Sequence, residues 1–283
     1  MSTSRRFFFE LAGAGLLAGP AALRSAARFK IGVTDWNLKM PGSPDALRVA
    51  KKIGFEGVEA SLGRKVADGK LPLDNAEVQA AYRAAVEQYQ MPLAGTCLDI
   101  LHTNYLKNDP LGPKWVADGI RVTAKLGVHV MLMPFFGNGA LTTREEMDHV
   151  ADVLKDLARE AEKAKVLLGL ENTISAEDNA RIMERTGSSA LKVFYDVGNS
   201  HNAGFDPVKE IRWLGRERIC LIHLKDNPGY MGEGKIDFRA VLGAIRDIGY
   251  TGFADLETSS PSKSVEADMA KNLAYVRRLQ DTI

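Results

Sequence analysis

Short apolar runs alternate with amphipathic stretches along almost the whole chain, and this order constrains the fold more than any other feature. The apolar runs suit buried β-strands and occupy residues 29–34, 57–60, 92–98, 128–136, 166–171, 191–196, 219–225 and 253–257. The amphipathic stretches suit helices and occupy residues 45–53, 75–90, 114–126, 143–165, 176–185, 207–214, 238–248 and 265–279. Strict alternation of strands and helices predicts a parallel sheet covered by helices.

Eight strand–helix units fit a closed (β/α)₈ barrel, the α/β fold called the TIM barrel, better than an open doubly wound sheet. A barrel of this kind needs about 250 residues, and the chain has 283. The open sheet is the main alternative, and it should carry a glycine-rich phosphate turn after its first strand. Here the first strand runs into Thr34-Asp35-Trp36-Asn37, without a glycine cluster. We therefore predict one barrel over residues 28–283.

Residues 1–27 differ from the rest of the chain and do not belong to the predicted barrel. Arg5-Arg6 precede three phenylalanines, and an apolar run rich in Ala and Gly covers residues 11–23. This order resembles a twin-arginine export signal, with small residues at Ser25 and Ala27 that suit cleavage after Ala27. The resemblance implies a periplasmic or otherwise exported protein without stable membrane insertion after processing. An N-terminal anchor that is kept is the alternative.

Charge and cysteine content exclude some classes of protein. The 37 basic and 36 acidic residues leave a formal charge of +1, whereas a nucleic-acid-binding domain should carry a strongly basic face. Cys97 and Cys220 are the only cysteines, and each lies in an apolar run. A core of this size needs no disulfide bond. We therefore expect two buried free thiols and no nucleic-acid partner.

The last four apolar runs each carry an ionisable residue at or near their C-terminal end. These residues are Glu171, Asp196, His223 and Glu257. Active sites of (β/α)₈ barrels lie at the C-terminal ends of the strands, so the four side chains should meet on one rim. Three carboxylates without a cation would repel one another, while carboxylates and an imidazole together suit a divalent metal ion. Mn²⁺ is the ion that we expect, with Mg²⁺, Co²⁺ and Zn²⁺ as alternatives.

Several motifs around these residues resemble one superfamily of barrels. They are Glu171-Asn172, Asp196-Val197-Gly198-Asn199, His223-Leu224-Lys225-Asp226, the Gly-Glu-Gly-Lys-Ile-Asp-Phe segment at residues 232–238, and Glu257. The chain is similar in these motifs to the xylose-isomerase-like barrels, which include sugar 3-epimerases, hydroxypyruvate isomerase and inosose dehydratase. The resemblance implies that the four rim residues bind the metal. It also implies that Glu171 and Glu257 exchange protons with opposite faces of a small carbohydrate substrate.

The expected chemistry is proton transfer on a carbon next to a carbonyl group. A metal ion on the substrate oxygens stabilises the ene-diolate, and a carboxylate removes the proton. Return of a proton to the other face makes an epimerase, and return to the neighbouring carbon makes an isomerase. Loss of a β-substituent instead makes a lyase or dehydratase on a keto-sugar, keto-glycoside or inosose. A non-catalytic sugar-binding barrel is a further alternative, although it has no need for both glutamates beside Asp and His.

Six further residues are candidates for contacts with the substrate. They are Asn199, His201, Lys225, Glu59, Trp36 and His102. Asn199 stands where several epimerases and dehydratases have a substrate-binding histidine, and His201 is expected to take over that role. Lys225 lies two residues after the rim histidine. The other three follow or end the first three strands. A homo-oligomer is compatible with the sequence.

Overall fold

Eight parallel strands form a closed barrel in the computed structural model, which describes residues 28–226 and 228–283. The strands are β1 (Lys30–Thr34), β2 (Val58–Ser61), β3 (Leu93–Cys97), β4 (Val130–Pro134), β5 (Leu167–Glu171), β6 (Leu191–Asp196), β7 (Ile219–Leu224) and β8 (Phe253–Leu256). Each strand pairs with the next along the chain, and β1 pairs with β8, where Ile31 lies opposite Ala254. The barrel prediction is therefore confirmed, and the open sheet is wrong.

The helices lie between the strands, close to the predicted ranges. They are α1 (Asp45–Ile53), α2 (Ala76–Tyr89), α3 (Gly112–Lys125), α4 (Arg144–Ala164), α5 (Ala176–Thr186), α6 (Val197–Asn202), α7 (Pro207–Arg218), α8 (Phe238–Asp247) and α9 (Val265–Gln280). The short α6 was not predicted, because six residues are too few to show a helical period. α7 extends past the predicted end, with a break at Gly215, whose φ is 65°.

Local capping explains where several helices begin and end. The Thr143 side chain accepts a hydrogen bond from the Glu146 amide, and the Glu146 carboxylate accepts one from the Thr143 amide, which forms a capping box before α4. Gly54 and Gly187 follow α1 and α5 in the left-handed conformation, at φ of 108° and 69°. Glycine adopts that conformation without steric cost, which explains why both helices end there.

The apolar core has two parts. The larger part fills the layer between the strands and the surrounding helices. The smaller part consists of Ala94, Cys97, Leu132, Phe194 and Leu221. A Cβ on Gly169 would lie 2.9 Å from the Phe194 Cβ and 3.0 Å from Cys220 Sγ, so only glycine leaves room for the Phe194 ring. Cys97 and Cys220 are free thiols, as predicted, but only Cys97 is buried; Cys220 is partly exposed, so the prediction of burial is wrong for it.

The predicted export signal at residues 1–27 lies outside the described residues. Among residues 28–226 and 228–283, no helix combines the length and the apolarity that crossing a membrane requires.

Candidate active site

The four rim residues predicted to bind a metal meet at the C-terminal ends of β5 to β8. Each offers one ligand atom, and these four atoms all lie within 4.8 Å of one another. Glu171, Asp196 and His223 are buried, and Glu257 is partly exposed. Side chains two positions apart on a strand share a face, so the ligands lie on the same face as the interior residues Gly169, Phe194, Leu221 and Asp255.

His223 is held in one orientation by partners on both sides of its ring. Nδ1 lies 3.3 Å from Glu171 Oε1, 3.6 Å from Glu257 Oε2 and 3.7 Å from Asp196 Oδ2. Nε2 lies 2.7 Å from Glu59 Oε2, across the barrel on β2. When His223 is neutral and donates its Nε2 proton to Glu59, the Nδ1 lone pair points into the space between the three carboxylates, as metal ligation requires. The Phe194 ring packs edge-on against the imidazole, with 4.6 Å between centroids.

Lys225 supplies the positive charge nearest to the ligand cluster. Its Nζ lies 2.9 Å from Asp196 Oδ2 and 2.5 Å from Glu257 Oε2. The same atom donates a hydrogen bond to Asn199 Oδ1 at 3.3 Å. Lys225 thus offsets part of the negative charge of two rim carboxylates.

Trp36 and Asn199 fix the carboxylate groups of the two glutamates. Trp36 Nε1 donates to Glu257 Oε1 at 3.0 Å, and Asn199 Nδ2 donates to Glu171 Oε1 at 3.3 Å. Asn199 lies in the first turn of α6, where its backbone amide donates to Asp196 Oδ1 at 2.7 Å. The unpredicted short helix is therefore what turns Asn199 back toward the rim.

Burial and charge shift the pKa values of the two glutamates in opposite directions. Burial raises the pKa of Glu171 to about 7, although His223 partly offsets this. Burial alone would also raise the pKa of Glu257, but His223, Lys225 and the Trp36 indole lower it overall. Asp196 has a raised pKa, chiefly because of burial. Although burial lowers the pKa of His223, the charge of Glu59 and the hydrogen bonds to Glu171 and Glu59 raise it well above its usual value.

The donor set fits a divalent cation. Asp196 Oδ2 and Glu257 Oε2 are buried, and within the described part of the chain neither accepts a well-aligned hydrogen bond. The three carboxylates carry more negative charge than Lys225 alone can neutralise. Oxygen ligands with a single imidazole are the donors that Mn²⁺, Mg²⁺ and related ions accept.

A cavity of about 310 Å³ opens above the ligand atoms. Four of the predicted substrate contacts line it, namely Trp36, His102, Asn199 and Lys225, and so do Glu171 and Glu257. The wall also contains Arg64, Asp99 and Phe136, and the His102 ring stacks on Phe136 at 6.3 Å between centroids. Arg64 and Asp99 were missed in the sequence, because Arg64 lies in a loop and Asp99 begins a short 3₁₀ helix after β3, where no pattern distinguishes either from other polar residues.

The other two predicted contacts lie elsewhere. Glu59 does not line this cavity: its side chain is 0% exposed and its carboxylate contacts His223. His201 lines a neighbouring cavity, since it follows Asn199 by two residues in α6 and leaves the helix in another direction.

Comparison with known proteins places this geometry in a family. Residues 47–279 match the family described as "Xylose isomerase-like TIM barrel". A 2-epi-5-epi-valiolone 7-phosphate 2-epimerase of Actinoplanes sp. is 27% identical over 229 residues, which cover 77% of this chain and 82% of that protein.

Solved structures share the same architecture. A D-psicose 3-epimerase superposes with a TM-score of 0.74 at 14% identity, covering 89% of this chain and 99% of the other. A 3-keto-D-glucoside 4-epimerase from E. coli superposes with a TM-score of 0.73 at 18% identity. The match covers 89% of this chain and 100% of that protein. Because these identities are low, the superpositions show a shared fold only. The family match, by contrast, is a match of sequence over residues 47–279. The chain belongs to the xylose isomerase-like TIM barrel family.

Proposed function

We propose that the protein is a metal-dependent sugar isomerase or epimerase that transfers a proton on a carbon next to a carbonyl group. The observation that carries this proposal is the placement of two glutamates, Glu171 and Glu257, in one four-ligand cluster at the floor of a cavity. The relatives named as sugar epimerases support the same reaction type. The substrate is a small carbohydrate with a ketone or aldehyde group.

Glu171, Asp196, His223 and Glu257 would hold the divalent ion. When bound, the ion supplies positive charge that stabilises the oxygens of a substrate ene-diolate. The remaining chemistry is proton transfer, which belongs to the side chains of this chain.

The two glutamates are suited to opposite proton-transfer roles because their surroundings differ. Glu257 contacts Lys225 and the Trp36 indole, both of which favour its ionised form, as a proton acceptor requires. Glu171 is more deeply buried, and without a bound ion burial raises its pKa to about 7, so of the two glutamates it holds a proton more readily. When their surroundings give two carboxyl groups different pKa values, one commonly acts as the acid and the other as the base. Asn199 and Lys225 are positioned to contact substrate oxygens beside them.

Glu257→Gln tests the proton-transfer role. Loss of a general acid–base group reduces rate by about 10²–10⁴-fold, while the amide oxygen of glutamine can still ligate the ion. We expect deuterium incorporation from D₂O at the substrate α-carbon, followed by NMR on the Mn²⁺-loaded full chain, to fall by that factor with Mn²⁺ still bound. Glu160→Gln, on the exposed face of α4, is the matched control and should exchange at the wild-type rate.

Retention of wild-type exchange by Glu257→Gln would contradict the two-glutamate mechanism. The position of the label in the wild-type product separates the reaction types. Deuterium on the original carbon with inversion indicates an epimerase, deuterium on the neighbouring carbon indicates an isomerase, and loss of a β-substituent indicates a lyase.

A further inference from the structure

A second cavity, of about 540 Å³, adjoins the cavity above the ligand cluster. It lies between α6 and the loop before α8, and its polar lining includes His201, Asn202, Lys225, Asp226, Glu233 and Lys235. Lys225 lines both cavities. Gly198 lines the second cavity and the next residue, Asn199, lines the first, so the two cavities also approach each other at the start of α6.

We propose that this second cavity binds a neutral glycosyl unit, so that the substrate is a keto-sugar extended by another sugar. The inference rests on the proposed function, because the reacting keto-sugar ring would occupy the first cavity. The glycosyl unit would extend from that ring past Lys225 toward α6 and the 228–236 loop.

The sizes of the two cavities favour an extended substrate. Ligand sites commonly measure about 300–1,000 Å³, and the first cavity, at about 310 Å³, is at the lower end of that range. The second cavity adds a larger volume beside the same lysine.

The charges of the lining favour a neutral occupant over a phosphate. The Lys225 ammonium is already paired with Asp196 and Glu257. Two carboxylates, Asp226 and Glu233, also line the cavity, and Glu233 is itself paired with Lys271 at 3.4 Å. Lys235 also lines the cavity. It is exposed, and it has no carboxylate partner in the described part of the chain. Phosphate sites instead gather several donors, such as arginines and free helix N-termini.

The two nearby helix N-termini are also already capped. Asp196 accepts from the first turn of α6 and Asp237 accepts from the first turn of α8. One first-turn amide of each helix, that of Asn199 and that of Ala240, is therefore not free to bind an anion at the cavity.

The remaining lining side chains suit sugar hydroxyl groups. Across the described residues, the side chains of His201, Asn202 and Lys235 make no hydrogen bond or ion pair, so their donors and acceptors are available. Ile236 adds a half-buried apolar surface, against which the face of a sugar ring can pack. A few directed polar groups beside an apolar surface are typical of small-molecule sites.

The proposal is tested with ketoses that share one reacting unit. D-Fructose, fructose 6-phosphate and glucosyl-fructoses linked through O3, O4 or O6 are each incubated with Mn²⁺-loaded full chain in D₂O, and kcat/KM for label incorporation is measured. We expect at least one glucosyl-fructose to exceed D-fructose by about tenfold, and fructose 6-phosphate to give no gain. Equal values for D-fructose and every disaccharide, or the highest value for the phosphate, would overturn the proposal.

Two variants locate the effect in the second cavity. Asn202→Trp fills the cavity, and Lys235→Ala removes an unpaired donor. Each should lower the ratio of kcat/KM for the disaccharide to that for D-fructose by about tenfold, the effect of losing roughly one hydrogen bond. Gln88→Trp and Lys51→Ala, on exposed faces of α2 and α1, are the matched controls and should leave this ratio unchanged. A ratio that does not change in either cavity variant would contradict the assignment.

Calorimetric titration of the same disaccharide separates failure of this inference from failure of the proposed function. Binding to the wild type that is lost in Asn202→Trp, without label incorporation from any ketose, would refute the proposed reaction and keep the cavity assignment. Absence of binding to the wild type would overturn the assignment itself.

Discussion

Replacing Glu59 by glutamine should weaken metal binding without a direct contact between residue 59 and the metal. Glu59 Oε2 accepts the His223 Nε2 proton at 2.7 Å, and both side chains are 0% exposed. A hydrogen bond to a charged group contributes about 1.5–3 kcal/mol and a neutral one about 0.5–1.5 kcal/mol. The isosteric glutamine keeps an acceptor but loses the charge. The hydrogen bond to His223 should therefore weaken by roughly 1–1.5 kcal/mol. Mn²⁺ affinity should therefore fall about 5–10-fold, at the lower end of the effect of outer ligand partners.

Competitive titration of the purified full chain against a chelator measures this affinity directly. Asp255→Asn is the matched control, because Asp255 is an equally buried carboxyl group in the barrel interior that makes no ion pair with His223. Its Mn²⁺ affinity should stay close to that of the wild type. If Glu59→Gln binds Mn²⁺ as tightly as the wild type, or if both variants weaken binding equally, the orientation of His223 by Glu59 is refuted.

Three further predictions concern the site, the pH dependence of stability and the core. Trp36→Phe removes the hydrogen bond to Glu257 and should lower kcat/KM for deuterium exchange by roughly tenfold, with a smaller change in Mn²⁺ affinity by titration; an unchanged rate would contradict this role. Hydrogen bonds with Lys107, and with the backbone and side chain of Thr142, lower the folded-state pKa of Glu146 to about 2 from 4.5. Its stabilisation is therefore present above about pH 5 and lost as pH falls toward 2. The Glu146 side chain is 28% exposed, so solvent screens part of this effect. Glu146→Gln should therefore lower the free energy of unfolding, measured with urea, by about 1–2 kcal/mol at pH 7 and by little at pH 2. A loss that does not depend on pH would refute the linkage. Leu154→Ala, at a fully buried position in α4, should lower the free energy of unfolding by about 2–5 kcal/mol in the same assay, and a loss below 1 kcal/mol would indicate a looser core.

The ligand residues could be predicted from the sequence because their placement follows from local rules. Each of the four lies at or near the end of an apolar run, and parallel strands bring such positions to one rim. Asp196 and His223 lie directly opposite each other in the β6–β7 register, as that reasoning requires.

Contacts across the barrel could not be predicted in this way. Glu59 ends the second apolar run much as Glu171 ends the fifth, and the sequence suggested a substrate contact for it. Its position against His223 depends on how β2 and β7, which are not neighbours, face each other after closure. A register shift between Val58 and Glu59 also changes how β2 sits against β3. No local pattern in the chain encodes that geometry.

The placement of Asn199 and His201 depended on a helix too short to detect. The six residues of α6 turn Asn199 toward Glu171 and leave His201 beside the second cavity. The export signal and the periplasmic location stay predictions, since residues 1–27 are outside the described structure. A fusion of residues 1–27 to a reporter that matures only when exported folded would test them.

The pairing of ligand-bearing strands has a consequence for which insertions and deletions the protein can tolerate. Backbone hydrogen bonds between neighbouring strands fix the spacing of Glu171, Asp196 and His223, and side chains alternate between the two faces of each strand. One residue inserted between Leu221 and His223 would turn the imidazole into the helical layer and abolish the cluster. Residues added after Lys225 or Glu257 would leave every ligand in place. Length variation in the loops after the strands can therefore change the substrate without dismantling the metal centre.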